Sequence, residues 1–168
     1  RTAMTFMRAP APQRGGSSRD LEPERPTRRE ASGAGELNGP DVPQHEAARA
    51  WLDERLNGTT RVGLPWSSLV GFLRITTSGR VFERPEPIDA AWEQVQEWLA
   101  APAAWVPSPT ERHPHVLGGL LRTARPSGNL VPDAHLAALA ISHGLVLCST
   151  DGDFARFPDL RWENPLRS

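Results

Sequence analysis

The chain has 168 residues, a formal net charge of −1 and one cysteine, and a length of this order fits one domain with its own core. The near-neutral charge excludes a broad cationic surface that binds nucleic acid through phosphates alone. The lone cysteine excludes an internal disulfide. The lack of an apolar run of about 18 residues or of a secretory signal pattern predicts a cytoplasmic protein without a membrane span.

Residues 1–40 differ in composition from the rest of the chain. They are rich in Pro, Gly, Ser and Arg, and they carry charges of both signs without a sustained apolar period. Such a stretch has too little apolar surface to offset the entropy of ordering. Residues 1–40 are therefore predicted to be a disordered or aberrant extension, in which "TAMTFM" is the one strand-like piece, and the domain is predicted to span residues 41–168.

From residue 41 onward, stretches with helical periodicity alternate with short apolar runs. In the helical stretches apolar residues recur at i, i+3, i+4 and i+7, and Gly144 suits a helix end. In chain order, the predicted elements are the helix "HEAARAWLDERLNG", the strand "RVGLP", the helices "WSSLVGFLRITT" and "PIDAAWEQVQEWLA", the strand "AAWVPS", a weaker helix over 110–124, the helix "PDAHLAALAISHG" and the strand "LVLCS". This alternation predicts an α/β fold with a mostly parallel central sheet and helices on both faces. The tryptophans fit helix faces or strand ends and are predicted to lie in the core.

Three carboxylates surround the last helix and strand of this series. Asp133 begins the helix, while Asp151 and Asp153 directly follow the strand "LVLCS", at the sheet edge where such folds bind ligands. Taken singly, Asp133 is typical of a helix cap and "DGD" of a turn. Taken together, clustered carboxylates raise one another's pKa unless a cation neutralises them. Mg²⁺, or Mn²⁺ as the alternative, accepts such oxygen ligands and leaves room for a phosphate oxygen and an attacking water, which predicts phosphodiester hydrolysis.

Other metal sites find less support in the sequence. "DGDFARFPDLRWE" has Asp at the first, third and ninth positions of a calcium loop, but Arg156 stands at the sixth, which requires Gly, and Trp162 at the twelfth, which requires Glu. His113 and His115 form an isolated His-x-His pattern without a cysteine nearby, and Pro114 between them disfavours a regular helical zinc site. The two histidines are predicted to be solvated residues of a loop or helix start.

Three stretches resemble a known family, the PIN-domain VapC toxins, and particularly the subgroup abundant in mycobacteria. They are "GLPWSSLVGFLRITTSGRVFERP", "GNLVPDAHLAALAISHG" and "LCSTDGDFARFPDLRWENPL". The resemblance covers about residues 41–168. It implies a PIN-like α/β/α sandwich and a Mg²⁺-dependent endoribonuclease. It also implies a homodimer that is silenced by a cognate VapB antitoxin, whose tail occupies the active-site groove.

The resemblance also implies roles for individual residues. Asp133, Asp151 and Asp153 match the family's acidic positions, which implies catalysis and metal binding. Thr150 lies beside them in the sequence, where its hydroxyl would position water or phosphate. Arg74 and Arg112 are predicted to lie at the rim of the cleft and to guide RNA.

The start of the domain departs from the family. Members open with a short apolar strand that ends in Asp, whereas the corresponding region here reads "REASGAGELNG". Glu30 falls near the expected offset without an apolar strand around it and is given no role. A second acidic position of the family corresponds to Gly71, and Pro132 stands where relatives tend to have Thr. The abrupt change predicts a frameshifted or misassigned N-terminus, and it leaves two functions open: an active ribonuclease, or a catalytically impaired relative that binds antitoxin or dimerises.

Overall fold

The structure is a computed structural model that describes residues 5–10 and 42–167, and for residues 42–46 it describes the backbone alone. In chain order the elements are β1 (Thr5–Arg8), α1 (Val42–Leu56), β2 (Val62–Gly63), α2 (Trp66–Thr76), α3 (Ile88–Ala100), β3 (Ala104–Trp105), α4 (His113–Ala124), α5 (Leu130–His143), β4 (Val146–Ser149), a 3-10 turn (Gly152–Arg156) and β5 (Trp162–Glu163). Within these residues, no helix is long and apolar enough to cross a membrane.

All helices predicted from apolar periodicity are present, because each one buries an apolar stripe against the sheet. In α3, for example, Ala91, Val95 and Trp98 are buried at i, i+4 and i+7. The last of the helices, α5, ends at Gly144, whose φ of 67° is in the left-handed region and whose N–H bonds the carbonyl oxygens of Ala140 and Ile141. Glycine adopts this conformation without steric cost, as the sequence predicted.

The five strands form one mixed sheet in the order β3-β2-β1-β4-β5. Strands β2 and β3 are parallel, as are β4 and β5, and β1 runs antiparallel to both of its neighbours, β2 and β4. Four of the five strands therefore point the same way, which confirms the predicted α/β fold with a mostly parallel sheet. The short strand β5 was not predicted, since two residues carry no periodic signal.

The central strand of the sheet comes from the segment that was predicted to be disordered. Residues 5–8 form β1 and pair with β4 from Thr5↔Ser149 to Arg8↔Val146. The disorder prediction is wrong for these residues, because alternating side chains place Phe6 in the core on one face and Met7 in the core on the other. Glu30 and the stretch "REASGAGELNG" lie outside the described residues, so the boundary at residue 40 and the frameshift stay predictions.

The two cores lie on opposite faces of the sheet and give the sandwich its layers. One contains buried residues of α4, α5 and the 3-10 turn, such as Leu120, Leu139 and Phe154. The other contains buried residues of α1, α2 and α3, such as Leu52 and Leu69. The order helix, sheet, helix is the α/β/α sandwich expected from the resemblance.

An ion pair joins β1 to β5 across β4. Arg8 donates from Nε to Glu163 Oε1 at 2.7 Å and from Nη2 to Oε2 at 2.5 Å. Cys148 Sγ lies 3.2 Å from Glu163 Oε1, and burial raises the pKa of this thiol, which keeps it protonated. A two-point guanidinium–carboxylate pair is geometrically specific, so it favours this register of β1 over a shifted one.

Candidate active site

A cleft of about 680 Å³ opens between α2, the start of α5 and the turn that follows β4. Its lining includes Asp133, Asp151, Asp153, Arg74 and Thr5. The carboxylates lie at the carboxyl end of β4, which is where sheets of this kind bind ligands. The structure thus brings the three predicted carboxylates and one of the two predicted arginines together.

Asp133 lies in the first turn of α5 and faces the cleft. The helix begins at Leu130 after Asn129, earlier than predicted, so Asp133 is not the cap residue. Pro132 fits within this first turn because N–H groups there have no helical partner. Burial raises the pKa of Asp133, and the negative charges of Asp151 and Asp153 raise it further.

The turn that carries Asp151 and Asp153 is held by local hydrogen bonds. Asp151 Oδ1 accepts the N–H of Asp153 at 3.0 Å, and the N–H of Asp151 donates to Ser149 Oγ at 3.2 Å. At the outer side, Arg156 Nε lies 3.9 Å from Asp153 Oδ1. Both interpretations of "DGD", as a turn and as part of a ligand site, are therefore compatible with the structure, since the same residues form a turn and line the cleft.

Thr5 is a cleft residue that sequence reasoning missed. Because β1 runs antiparallel to β4, its first residue is the one that meets the carboxyl end of β4 at Ser149. Thr5 Oγ1 donates to Ser149 Oγ at 3.1 Å, and both side chains are buried. The strand-like "TAMTFM" was the available signal, but nothing local to it indicates the direction of the strand.

Two other predicted site residues lie outside the cleft lining, whereas Gly71, which corresponds to an acidic position of the family, lies within it. Thr150 and Arg112, which the structure also describes, lie outside the cleft lining, and Arg112 is an exposed residue that precedes α4. Gly71 does line the cleft, and a Cβ built on it meets no atom within 4 Å, so a side chain there would have open space.

The three carboxylates that line the cleft fit the requirements of a hard divalent cation only in part. Among the residues described, no three His, Cys, Asp or Glu side chains are grouped closely enough to hold one ion. Mg²⁺ commonly binds through one or two carboxylates and keeps several waters, so a convergent set of three is not required. Burial is the larger cause of the raised pKa of Asp133, and the negative charges of Asp151 and Asp153 add to it, so a cation bound beside these carboxylates would lower that pKa.

One of the histidines and two of the tryptophans differ from their predictions. His113 is buried, with Nε2 3.1 Å from His135 Nδ1, because α4 and α5 pack side by side; His115 is exposed as predicted. Burial lowers the pKa of His113. The core prediction is confirmed for Trp98 and wrong for Trp66 and Trp92, which are 49% and 39% exposed and stack with ring centroids 6.5 Å apart.

Comparisons with known proteins agree with this geometry. The model of the PIN domain family matches residues 41–160. Ribonuclease VapC37 of Mycobacterium tuberculosis H37Rv is 46% identical over 121 residues, which cover 72% of this chain and 84% of the relative. Ribonuclease VapC33 of the same strain is 43% identical over 125 residues, covering 74% and 87%. Ribonuclease VapC43 is 41% identical over 126 residues, covering 75% and 86%.

Proposed function

Since the chain belongs to the PIN-domain family of VapC ribonucleases, we propose that it is the toxin of a VapBC toxin–antitoxin system, a Mg²⁺-dependent endoribonuclease. The observation that carries the proposal is the presence of Asp133, Asp151 and Asp153 in one cleft at the carboxyl end of β4. Mn²⁺ is the alternative cofactor, because it takes the same oxygen ligands.

The residues of the cleft have distinct tasks in this proposal. Asp133, Asp151 and Asp153 would hold the cation, directly or through its bound waters, and the cation would lower the pKa of a water and offset the charge of the scissile phosphate. The N-terminus of α5 lies beside Asp133 and favours negative charge at this position. Arg74 lines the cleft and offers a guanidinium to the RNA backbone. Thr150, which follows β4 outside the cleft lining, would position water or phosphate as they approach the carboxylates, and Arg112 would contact RNA beyond the cleft.

The proposed protein partner is a VapB antitoxin. Trp66 and Val70 on α2, together with Ile88 and Trp92 on α3, form an exposed apolar surface, and Val70 also lines the cleft. A segment that covers this surface can therefore continue into the cleft, where basic side chains would meet the carboxylates. The proposal further includes a homodimer in the cytoplasm.

A second candidate function is binding without cleavage. The innermost strand places the hydroxyl of Thr5, not a carboxylate, at the cleft, and the described residues lack a convergent set of three ligands. Weak metal binding follows if two carboxylates alone reach the ion. Such a chain would capture antitoxin or dimerise as a catalytically impaired relative.

Cleavage of bulk cellular RNA in Mg²⁺ by the purified chain distinguishes the two functions. If the chain is a ribonuclease, Asp133→Asn should lower the rate at least about a hundredfold, because even loss of a residue that only supports a ligand costs tenfold to a hundredfold. Asp159→Asn is the matched control, since Asp159 is exposed and its φ of 64° is one that Asn tolerates. No cleavage by the parent, with antitoxin capture intact, would favour the second function.

A further inference from the structure

A continuous chain of hydrogen bonds links β1 to the carboxylates of the cleft. Thr5 Oγ1 donates to Ser149 Oγ at 3.1 Å, and the same oxygen accepts the N–H of Asp151 at 3.2 Å. Asp151 Oδ1 then accepts the N–H of Asp153 at 3.0 Å. The hydroxyl of the N-terminal strand is thus connected, through one serine, to the turn that carries two of the three carboxylates.

The hydrogen bond between Thr5 and Ser149, at the inner end of this series, is shielded from water. Ser149 is 0% exposed and Thr5 is 9% exposed. Water cannot readily replace a hydrogen bond that is lost at such a position, so its loss costs more than at the surface. Trp162 Nε1 also donates to the carbonyl oxygen of Ser149 at 3.1 Å, which holds the backbone of the serine while Thr5 holds its side chain.

The contact depends on the direction of β1. With β1 antiparallel to β4, Thr5 is opposite Ser149 and Arg8 is opposite Val146. The pair formed by Arg8 and Glu163 fixes the far end of the strand. A strand fixed at that end presents its first hydroxyl to Ser149 in one register, since a shift of one residue would turn Thr5 to the other face.

We infer that Thr5 is a positioning residue of the metal site: through Ser149, its hydroxyl fixes the turn that aims Asp151 and Asp153 into the cleft. This role rests on the proposed function, because these carboxylates are the ones proposed to hold Mg²⁺. Thr5 acts through Ser149 and needs no contact with the cation or the RNA.

Thr5→Val tests the role, because valine keeps the shape of the side chain and removes the hydroxyl. Thr76→Val is the matched control. Thr76 is 5% exposed and borders the same cleft, but its hydroxyl bonds the carbonyl oxygen of Phe72 in its own helix at 3.0 Å. Thr5→Ser keeps a hydroxyl at residue 5.

Two readouts are measured on the full chain. The first is amide hydrogen exchange of Asp151 and Asp153 in the metal-free protein, and the second is Mn²⁺ affinity by calorimetry. A buried neutral hydrogen bond corresponds to about a fivefold to tenfold change. Thr5→Val should accelerate exchange of both amides and weaken Mn²⁺ binding by about this factor, Thr5→Ser should restore both, and Thr76→Val should change neither more than about twofold.

The outcomes separate the positioning role from the proposed function. Unchanged exchange at Asp151 and Asp153 in Thr5→Val, or equal acceleration in Thr76→Val, overturns the role of Thr5. A parent chain that binds no Mn²⁺ overturns the proposed function alone, because amide exchange still decides whether Thr5 holds the turn. If Thr5→Val does not fold, Thr5→Ala removes the same hydroxyl, leaves Ser149 Oγ as the acceptor of the Asp151 N–H, and must accelerate the same two amides.

Discussion

Truncation of Phe6 to alanine should lower the free energy of unfolding by about 3–4 kcal/mol. Phe6 is 1% exposed, so the full transfer free energy of its ring, about 1.5–3 kcal/mol, is lost. A cavity adds to this loss, because the ring of Trp51 lies at a centroid distance of 4.8 Å and belongs to a separate helix that cannot easily move inward. The expected loss in the free energy of unfolding is that of truncating a residue in the middle of a domain core.

Urea unfolding followed by circular dichroism measures this difference, with the slope of the transition checked for two-state behaviour. Leu121→Ala is the control, since Leu121 is 38% exposed on α4 and should cost no more than about 0.5 kcal/mol. If Phe6→Ala were as mild as Leu121→Ala, β1 would not be the central strand, and the reasoning from burial on both faces of the sheet would be refuted.

Three further predictions concern charge in the cleft and in the ion pair of Arg8 with Glu163. Gly71→Glu should strengthen Mn²⁺ binding at least about fivefold in calorimetry, because the added side chain has open space on the cleft wall and supplies another oxygen ligand; weaker binding would show that this wall does not face the cation. Asp133→Asn should raise the melting temperature of the metal-free protein by about 2–4 °C in a thermal scan, because it removes a half-buried negative charge beside two others, and an unchanged or lower value would contradict the clustering. Arg8 lowers the pKa of Glu163 by its two hydrogen bonds, so the pair contributes stability that is present above the ordinary pKa of Glu and is lost as pH falls through the lowered one. Urea titrations between about pH 7 and 3 should therefore show a smaller loss of stability on acidification in Arg8→Met than in the parent, and equal losses would count against the pair.

Much of the fold was predictable because its helices carry their own signal. The stripe formed by Ala91, Val95 and Trp98 indicates both the helix and its buried side, and the left-handed Gly144 marks the end of α5. Likewise, the position of Asp151 and Asp153 after an apolar strand predicts their place at the sheet edge, since it depends only on local order along the chain.

The features that were missed depend on partners distant in sequence. The four residues of β1 show little periodicity of their own, and their order comes from pairing with β2 and β4 on both sides. The burial of His113 depends on the packing of α4 against α5, where it meets His135. The exposure of Trp66 and Trp92 arises because α2 and α3 carry apolar residues on their outer sides as well. Pattern within one segment cannot report such contacts.

A crystal of the full chain grown in Mn²⁺, with an anomalous difference map, would locate the cation directly. The proposed function predicts one strong peak within the cleft, in contact with carboxylate oxygen atoms of Asp133, Asp151 or Asp153. A map without a peak in the cleft at saturating Mn²⁺, or with its strongest peak at the imidazoles of His113 and His135, would contradict a metal-dependent ribonuclease site at the carboxyl end of β4.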